Sequence, residues 1–277
     1  MNQVDKYYEH SGVVSPIGVV YMTILGVVGA VVFAIIYGYA TFYIPFIYLN
    51  FFLTLGLGIG VGLLVGFGGK FGKVRNSKML LIFGFIFGLF AEYANWVSWI
   101  FAYSKEEILI LNPSDMINMI QLLSENGAWS IFGWTPTGVE IYAIWGIEAV
   151  IIIGTSTIVA LSMISSTPFC ETCTKWVEEK ISIFPLTPIN NPSELVSQLE
   201  QGDYSSLKTL EKSDTKIDAY TQIDLLQCPT CQQSNFLTIK SIIVSKDDEG
   251  KEEKNENILI ENLIITNENY KIIKEQW

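Results

Sequence analysis

Leu49–Gly69 reads LNFFLTLGLGIGVGLLVGFGG, twenty-one residues with no charge and seven glycines. About twenty apolar residues suffice to cross the hydrocarbon core of a bilayer as a helix. Lipid offers the backbone no hydrogen-bond partner, so helix is required there even where glycine alternates. Glycines two apart point to opposite sides of a helix, about 200° around it. Gly56 and Gly60 therefore mark one side, and Gly58, Gly62 and Gly66 the other. Small residues at every fourth position let helix backbones approach closely in lipid. Two readings follow for this glycine zipper: packing inside one four-helix bundle, or packing between the subunits of a homo-oligomer.

Three further stretches meet the same length test, so the spans run over Pro16–Ala40, Pro45–Gly69, Met79–Tyr103 and Gly138–Ile164. The first is too long for a signal peptide, and its leader carries Asp5, Lys6 and Glu9. Lys70, Lys73, Arg75 and Lys78 cluster in the short link between spans two and three, which places that link, and with four spans both termini, in the cytoplasm. The long third link carries Glu106, Glu107, Asp115 and Glu125 against Lys105, as expected of the outer side, with Trp96, Trp99, Trp129 and Trp134 as interfacial anchors. Within it, Asn112-Pro113 starts and Asn126-Gly127 stops a helix over 113–126. That helix either gates an outer mouth or covers apolar surface.

Glu92 in span three and Glu148 in span four lie deep in apolar runs. Counted from the cytoplasmic ends they sit at roughly 20 Å and 22 Å of depth, so they can meet. Glu92 shares a stripe with Gly84, Gly88, Asn95 and Trp99, and Glu148 with Thr155 and Ser162. Both stripes are small or polar, which predicts that the glutamates face protein. A bare carboxylate in hydrocarbon costs several kcal/mol. The resolutions are protonation of one or both, or a cation held between them. Glu92, Glu148 and Asn95 are thus either an ion or proton site or a polar clasp bonded to Asn50, Thr155 or a tyrosine.

Beyond Thr167 the composition changes. The chain's net charge is -11, of which residues 1–164 hold -3 and residues 165–277 hold -8. A charge-poor front and an acidic back exclude one uniform soluble globule. With a single arginine, Arg75, and an excess of acid, nucleic acid is excluded as a partner. All four cysteines fall in the acidic part, as Cys170-Glu-Thr-Cys173 and Cys228-Pro-Thr-Cys231. Two pairs at this spacing suit a tetrahedral four-thiolate zinc site, and a reducing cytosol favours metal over disulfides. Four thiolates leave no open position, so the zinc is structural. A dithiol redox site is the other reading, but no βαβ context surrounds either pair.

With its two CxxC knuckles, the segment 168–266 resembles a zinc ribbon. The resemblance implies β-hairpins around the knuckles and Cys170, Cys173, Cys228 and Cys231 as ligands. The 54-residue gap between the pairs is longer than usual. With the Gly72-Lys73-Val74-Arg75-Asn76 link, the whole layout also resembles a group of bacterial membrane proteins of unassigned function, which implies a bacterial inner or plasma membrane. Candidate strands are Trp176–Phe184, Ile217–Leu226, Phe236–Val244 and Ile258–Ile265, with Lys246–Asn257 as an exposed polar loop. An insertion over 187–215 carries Leu195, Leu199, Leu207 and Leu210 on a short helical pair.

The predicted fold class is an α-helical membrane protein, with four transmembrane helices, plus a small C-terminal α+β zinc-ribbon-like cytosolic domain. Its parts are a polar leader (1–15), the multi-pass bundle (16–164) and the cytosolic domain (168–277). The sole histidine is His10, which disfavours histidine triads, HExxH proteases and di-iron sites. No GxSxG nucleophile elbow occurs. No enzyme activity is expected. Two functions remain: a non-enzymatic, oligomeric assembly scaffold presenting a zinc-stabilised domain to an unknown cytosolic protein partner, or an ion- or proton-conducting protein using Glu92 and Glu148.

Overall fold

The computed structural model describes residues 6–44, 47–130, 133–213, 218–246 and 251–277. Pro45, Ile217, residues 1–5 of the leader and residues 247–250 of the polar loop lie outside them. The chain divides into two compact units, Ser11–Ser165 and a second made of Met1–His10 with Ser166–Trp277.

The first unit is built from α1 (Pro16–Tyr43), α2 (Ile47–Phe71), α3 (Ser77–Tyr103), α4 (Pro113–Asn126) and α5 (Val139–Ser165). Ser15 caps α1 by accepting from Gly18 N, with Pro16 pre-set at the first position, and Asn76 caps α3 by accepting from Met79 N. Four of the helices are long and apolar enough to cross a membrane: Pro16–Tyr43, Leu49–Phe71, Ser77–Tyr103 and Val139–Ser165. Helices α2 and α3 each pack against both α1 and α5.

The two glycine sides of α2 are used inside the chain. Gly58, Gly62 and Gly66 press on Thr155, Ser156, Val159 and Met163 of α5, while Gly60 and Gly68 press on Phe33 and Met22 of α1. Gly84 and Gly88 of α3 meet α5 at Thr157 and Ile153. Only Gly56 of the predicted packing set faces open space. The expectation that one side of α2 is left for a second subunit therefore loses its basis. Ser162, predicted to face protein with Glu148, is exposed.

Helix α4 buries Met116 and Leu123 against Ile100, Trp96, Trp99 and Trp145, and so covers apolar surface at the end of the unit away from Lys70. Its stop is conformational, since Gly127 takes φ 80°, a left-handed value that favours glycine.

The second unit opens with a two-stranded antiparallel ribbon, β1 (Phe169–Cys170) and β2 (Lys175–Trp176). A four-stranded antiparallel meander follows: β3 (Lys180–Leu186), β4 (Ala219–Gln227), β5 (Asn235–Lys246) and β6 (Glu252–Ile265). The predicted strand from Trp176 to Phe184 is thus split. The predicted loop over Lys246–Asn257 is shorter than expected, because Glu252–Asn257 continues β6 opposite Ser241–Lys246. Its polar side chains read as loop, yet the backbone ladder and cross-strand pairs such as Lys240 Nζ–Glu256 Oε2 at 2.8 Å hold it extended.

One face of the sheet is covered by α6 (Pro192–Glu200), a 3-10 turn (Ser205–Thr209) and α7 (Asn267–Glu275). Leu195, Leu199, Leu207 and Leu210 of the insertion are buried there against Ile223, Leu225, Leu237 and Ile260. Helix α7 was not predicted. Thr266 caps it by accepting from Asn269 N, and Tyr270 and Ile273 join the same core.

The leader also contributes to this unit. Ile264 N donates to Lys6 O at 2.9 Å and Tyr8 N to Asn262 O at 3.0 Å, so residues 6–8 pair with the free edge of β6. Tyr7 Oη donates to Glu200 Oε1 at 2.7 Å. Burial and that carboxylate push the Tyr7 phenol up to about 12. A phenol that holds its proton more tightly folded than unfolded contributes stability that is complete below pH ~10 and lost as pH rises through about 12. We expect the unfolding midpoint of this unit to fall over that window, and to fall less in Tyr7→Phe. Equal slopes in the two proteins would exclude Tyr7 as the source.

Candidate functional site

The turn between β1 and β2 presents Cys170 and Cys173, and the turn between β4 and β5 presents Cys228 and Cys231. Each turn closes with a left-handed residue directly after its second cysteine, Thr174 at φ 53° and Gln232 at φ 56°. All four Sγ atoms lie within 4.8 Å of one another, and Cys170 Sγ is 3.6 Å from Cys231 Sγ. Thiolates at 2.3 Å around a tetrahedral ion stand about 3.8 Å apart, so the spacing suits a metal and is far too long for disulfides.

The surroundings act unequally on the four sulfurs. Gln233 N–H donates to Cys231 Sγ at 3.5 Å, and Ser234 Oγ donates to Cys170 Sγ at 3.3 Å. The Gln233 N–H, with help from the neighbouring thiols, brings Cys231 down to about 6. Burial and the crowding of the other sulfurs push Cys173 up to about 12. One thiolate is thus favoured among four close sulfurs, and a cation at the centre is what would let all four ionise. Cys170, Val177, Leu226, Cys228 and Phe236 form a small buried core around them, with Tyr8 of the leader against it. The four cysteines are therefore positioned to hold a metal ion.

In the helical unit the two glutamates come within electrostatic reach of each other. Glu148 Oε1 accepts from Tyr37 Oη at 2.6 Å, and Tyr37 Oη is also 2.9 Å from Thr54 Oγ1. Asn95 is a second side-chain partner of the Glu148 carboxylate. Glu92 Oε1 accepts from Trp96 Nε1 at 2.9 Å, one turn along α3. Thr155, named from the sequence as a partner, instead donates to Ile151 O and packs on Gly58.

Glu148, Asn95, Tyr37, Thr54 and Asn50 line a cavity of about 440 Å³. Tyr37, Thr54 and Asn95 are buried, while Phe51, Tyr103, Trp134 and Ile147 at its edges are exposed. Glu92 lies beside it, outside its lining. Towards the Lys70 end the interior is filled by Ala30, Ala34, Leu57, Val61, Val65, Phe87 and Ala160.

Trp96, Trp99, Trp129 and Trp134, read from the sequence as interfacial anchors, line this cavity together with Trp145. Tyr37, Asn50, Thr54 and Trp145 were not singled out as one site by the sequence. The spacing of Asn50 and Thr54, one turn apart on an apolar helix, was the available signal. No protein-family model, no curated protein and no solved structure matches this chain.

Proposed function

We propose that this is a non-enzymatic membrane protein that binds a cation at Glu148 from one side of the bilayer, with a structural zinc ion holding the two cysteine turns of its C-terminal unit. The carrying observation is the Glu148 carboxylate in the wall of a 440 Å³ cavity whose polar partners are Tyr37 and Asn95. A carboxylate placed so deep in apolar helices is costly to keep, and a bound cation offsets that cost. Glu92 nearby adds to the negative field that a cation meets.

Zinc is supported by an all-thiolate donor set at tetrahedral spacing, which leaves no coordination site for water or substrate. Orientation draws on two independent facts. Residues 6–10 and the C-terminal residues share one folded unit, so the chain crosses a bilayer an even number of times between them. The basic cluster from Lys70 to Lys78 then favours the cytoplasm for that side, which opens the cavity outward.

The test is thermal unfolding of the purified chain in detergent across a panel of inorganic and organic cations. A ligand at a hundred times its Kd stabilises by about 2.7 kcal/mol. At least one cation should raise the midpoint by several degrees in wild type and leave Glu148→Gln unmoved. A wild-type midpoint insensitive to every cation would overturn the reading.

A further inference from the structure

We propose that the cavity beside Glu148 takes a protonated primary or secondary amine with an aromatic or bulky apolar body. This rests on the cation-binding reading and names its ligand class. Size, wall chemistry and unpaired acceptors all point the same way.

At about 440 Å³ the cavity has many times the room a bare ion needs, and falls in the range of small-molecule sites. Trp96, Trp99, Trp129, Trp134 and Trp145 account for five of the chain's seven tryptophans. Trp96 meets Trp145 edge-on at 4.9 Å, and Trp129 meets Trp134 edge-on at 6.5 Å. These indoles give the cavity an aromatic lining, and an indole face attracts a cation or stacks on an aromatic ring. Glu148 is the one carboxylate among the described lining residues, and no lysine or arginine joins it there. Anions are therefore disfavoured.

The acceptors distinguish an amine from a quaternary ammonium. Asn95 is 5% exposed and its Oδ1 has no hydrogen-bond partner, and the buried Asn50 Oδ1 has none either. A carboxylate can only accept, so Asn95 faces Glu148 with its amide N–H and leaves Oδ1 over. Buried acceptors left without donors cost stability. Two orphaned acceptors and a carboxylate lining one cavity ask for a ligand that brings several N–H donors and a positive charge together. A primary ammonium does so, and its apolar body then lies along the indoles.

The probes are 2-phenylethylamine, its neutral isostere propylbenzene and its N,N,N-trimethyl derivative, with sodium and potassium chloride as inorganic controls. Binding to the full chain in detergent at pH 7 is read by tryptophan fluorescence and by calorimetry. We expect the amine to bind at least tenfold more tightly than propylbenzene and more tightly than the trimethyl derivative. Glu148→Gln should lose at least a hundredfold, and Trp145→Leu about tenfold. Asn50→Leu removes an unpaired acceptor, so its unfolding midpoint should not fall although its amine affinity does. That opposition is not expected of a purely structural asparagine, and it keeps the test valid if Glu148→Gln folds poorly. If an inorganic cation shifts the wild-type midpoint but the amine binds no better than propylbenzene, the amine assignment fails and the cation site stands. If neither binds, both fail. Equal amine binding by wild type and Glu148→Gln also overturns both.

Discussion

Cys228→Ser should strip the metal from the full-length protein, taking metal analysis from about one zinc per chain to near none. Cys228 is fully buried and its N–H is already committed to Ser234 O at 2.9 Å, so a serine there has little freedom to reorganise into a new ligand geometry. Structural zinc sites contribute on the order of 10–16 kcal/mol of binding free energy, which here is folding free energy for the segments that carry the sulfurs. The loss should be local. The knuckle core of Cys170, Val177, Leu226 and Phe236 is separate from the core under the meander, where Leu186, Leu199, Ile223, Leu237 and Ile273 are buried without any cysteine. Protease should therefore cut Cys228→Ser within 166–177 and 228–234, while the β-signal of circular dichroism largely survives. Wild-type protein purified without metal, yet equally resistant at those segments, would contradict a structural metal.

Gly68→Leu should be strongly damaging to the helical unit. A Cβ at Gly68 would stand 2.7 Å from both Met22 Cα and Met22 N, with Tyr21 C at 2.8 Å. These are backbone atoms, so no side-chain rotation relieves the clash and α1 must move away from α2. Overpacking usually costs about 1–3 kcal/mol where neighbours can adjust. With backbone on the far side the cost should exceed that range, and detergent-purified protein should aggregate or unfold many degrees early. Gly56→Leu is the matched control, because Gly56 is exposed and a Cβ there meets nothing within 4 Å. It should be neutral or slightly stabilising, since leucine is the better helix former by up to ~1 kcal/mol. Equal damage at the two positions would show that the α1–α2 approach is not what the glycines serve. A change of oligomeric mass in Gly56→Leu alone would restore a subunit contact on that side.

How far the chain could be read in advance depended on the kind of signal. The long helices were legible because roughly twenty apolar residues and a few caps define them without reference to any neighbour. The cysteine cluster was legible because CxxC spacing carries its own geometry. Glu92 and Glu148 stood out because charge in an apolar run is expensive wherever the helix faces. The cavity was not legible: Tyr37, Asn50, Asn95 and Trp145 come from four different helices, and their convergence depends on rotational phases set by the glycine contacts. Glu252–Asn257 was misread because its polar side chains carry no burial signal, while the backbone ladder that holds it depends on its partner strand. Helix α7 is short and mostly polar, with only Tyr270 and Ile273 buried, too few for a visible period.

The pairing of residues 6–8 with β6 has a consequence for the order of events in synthesis. Residues 6–8 leave the ribosome more than 240 residues before the part of β6 they pair with, as the Tyr7–Leu263 bridge shows. Contacts between such distant residues are slow to form, and domains fold in the order they emerge. Residues 6–8 must therefore wait until β6 has been made, and the outer edge of β6 stays open to foreign strands until they dock. A bulky fusion placed directly before Lys6 would prolong that exposure. One placed after Trp277 would not.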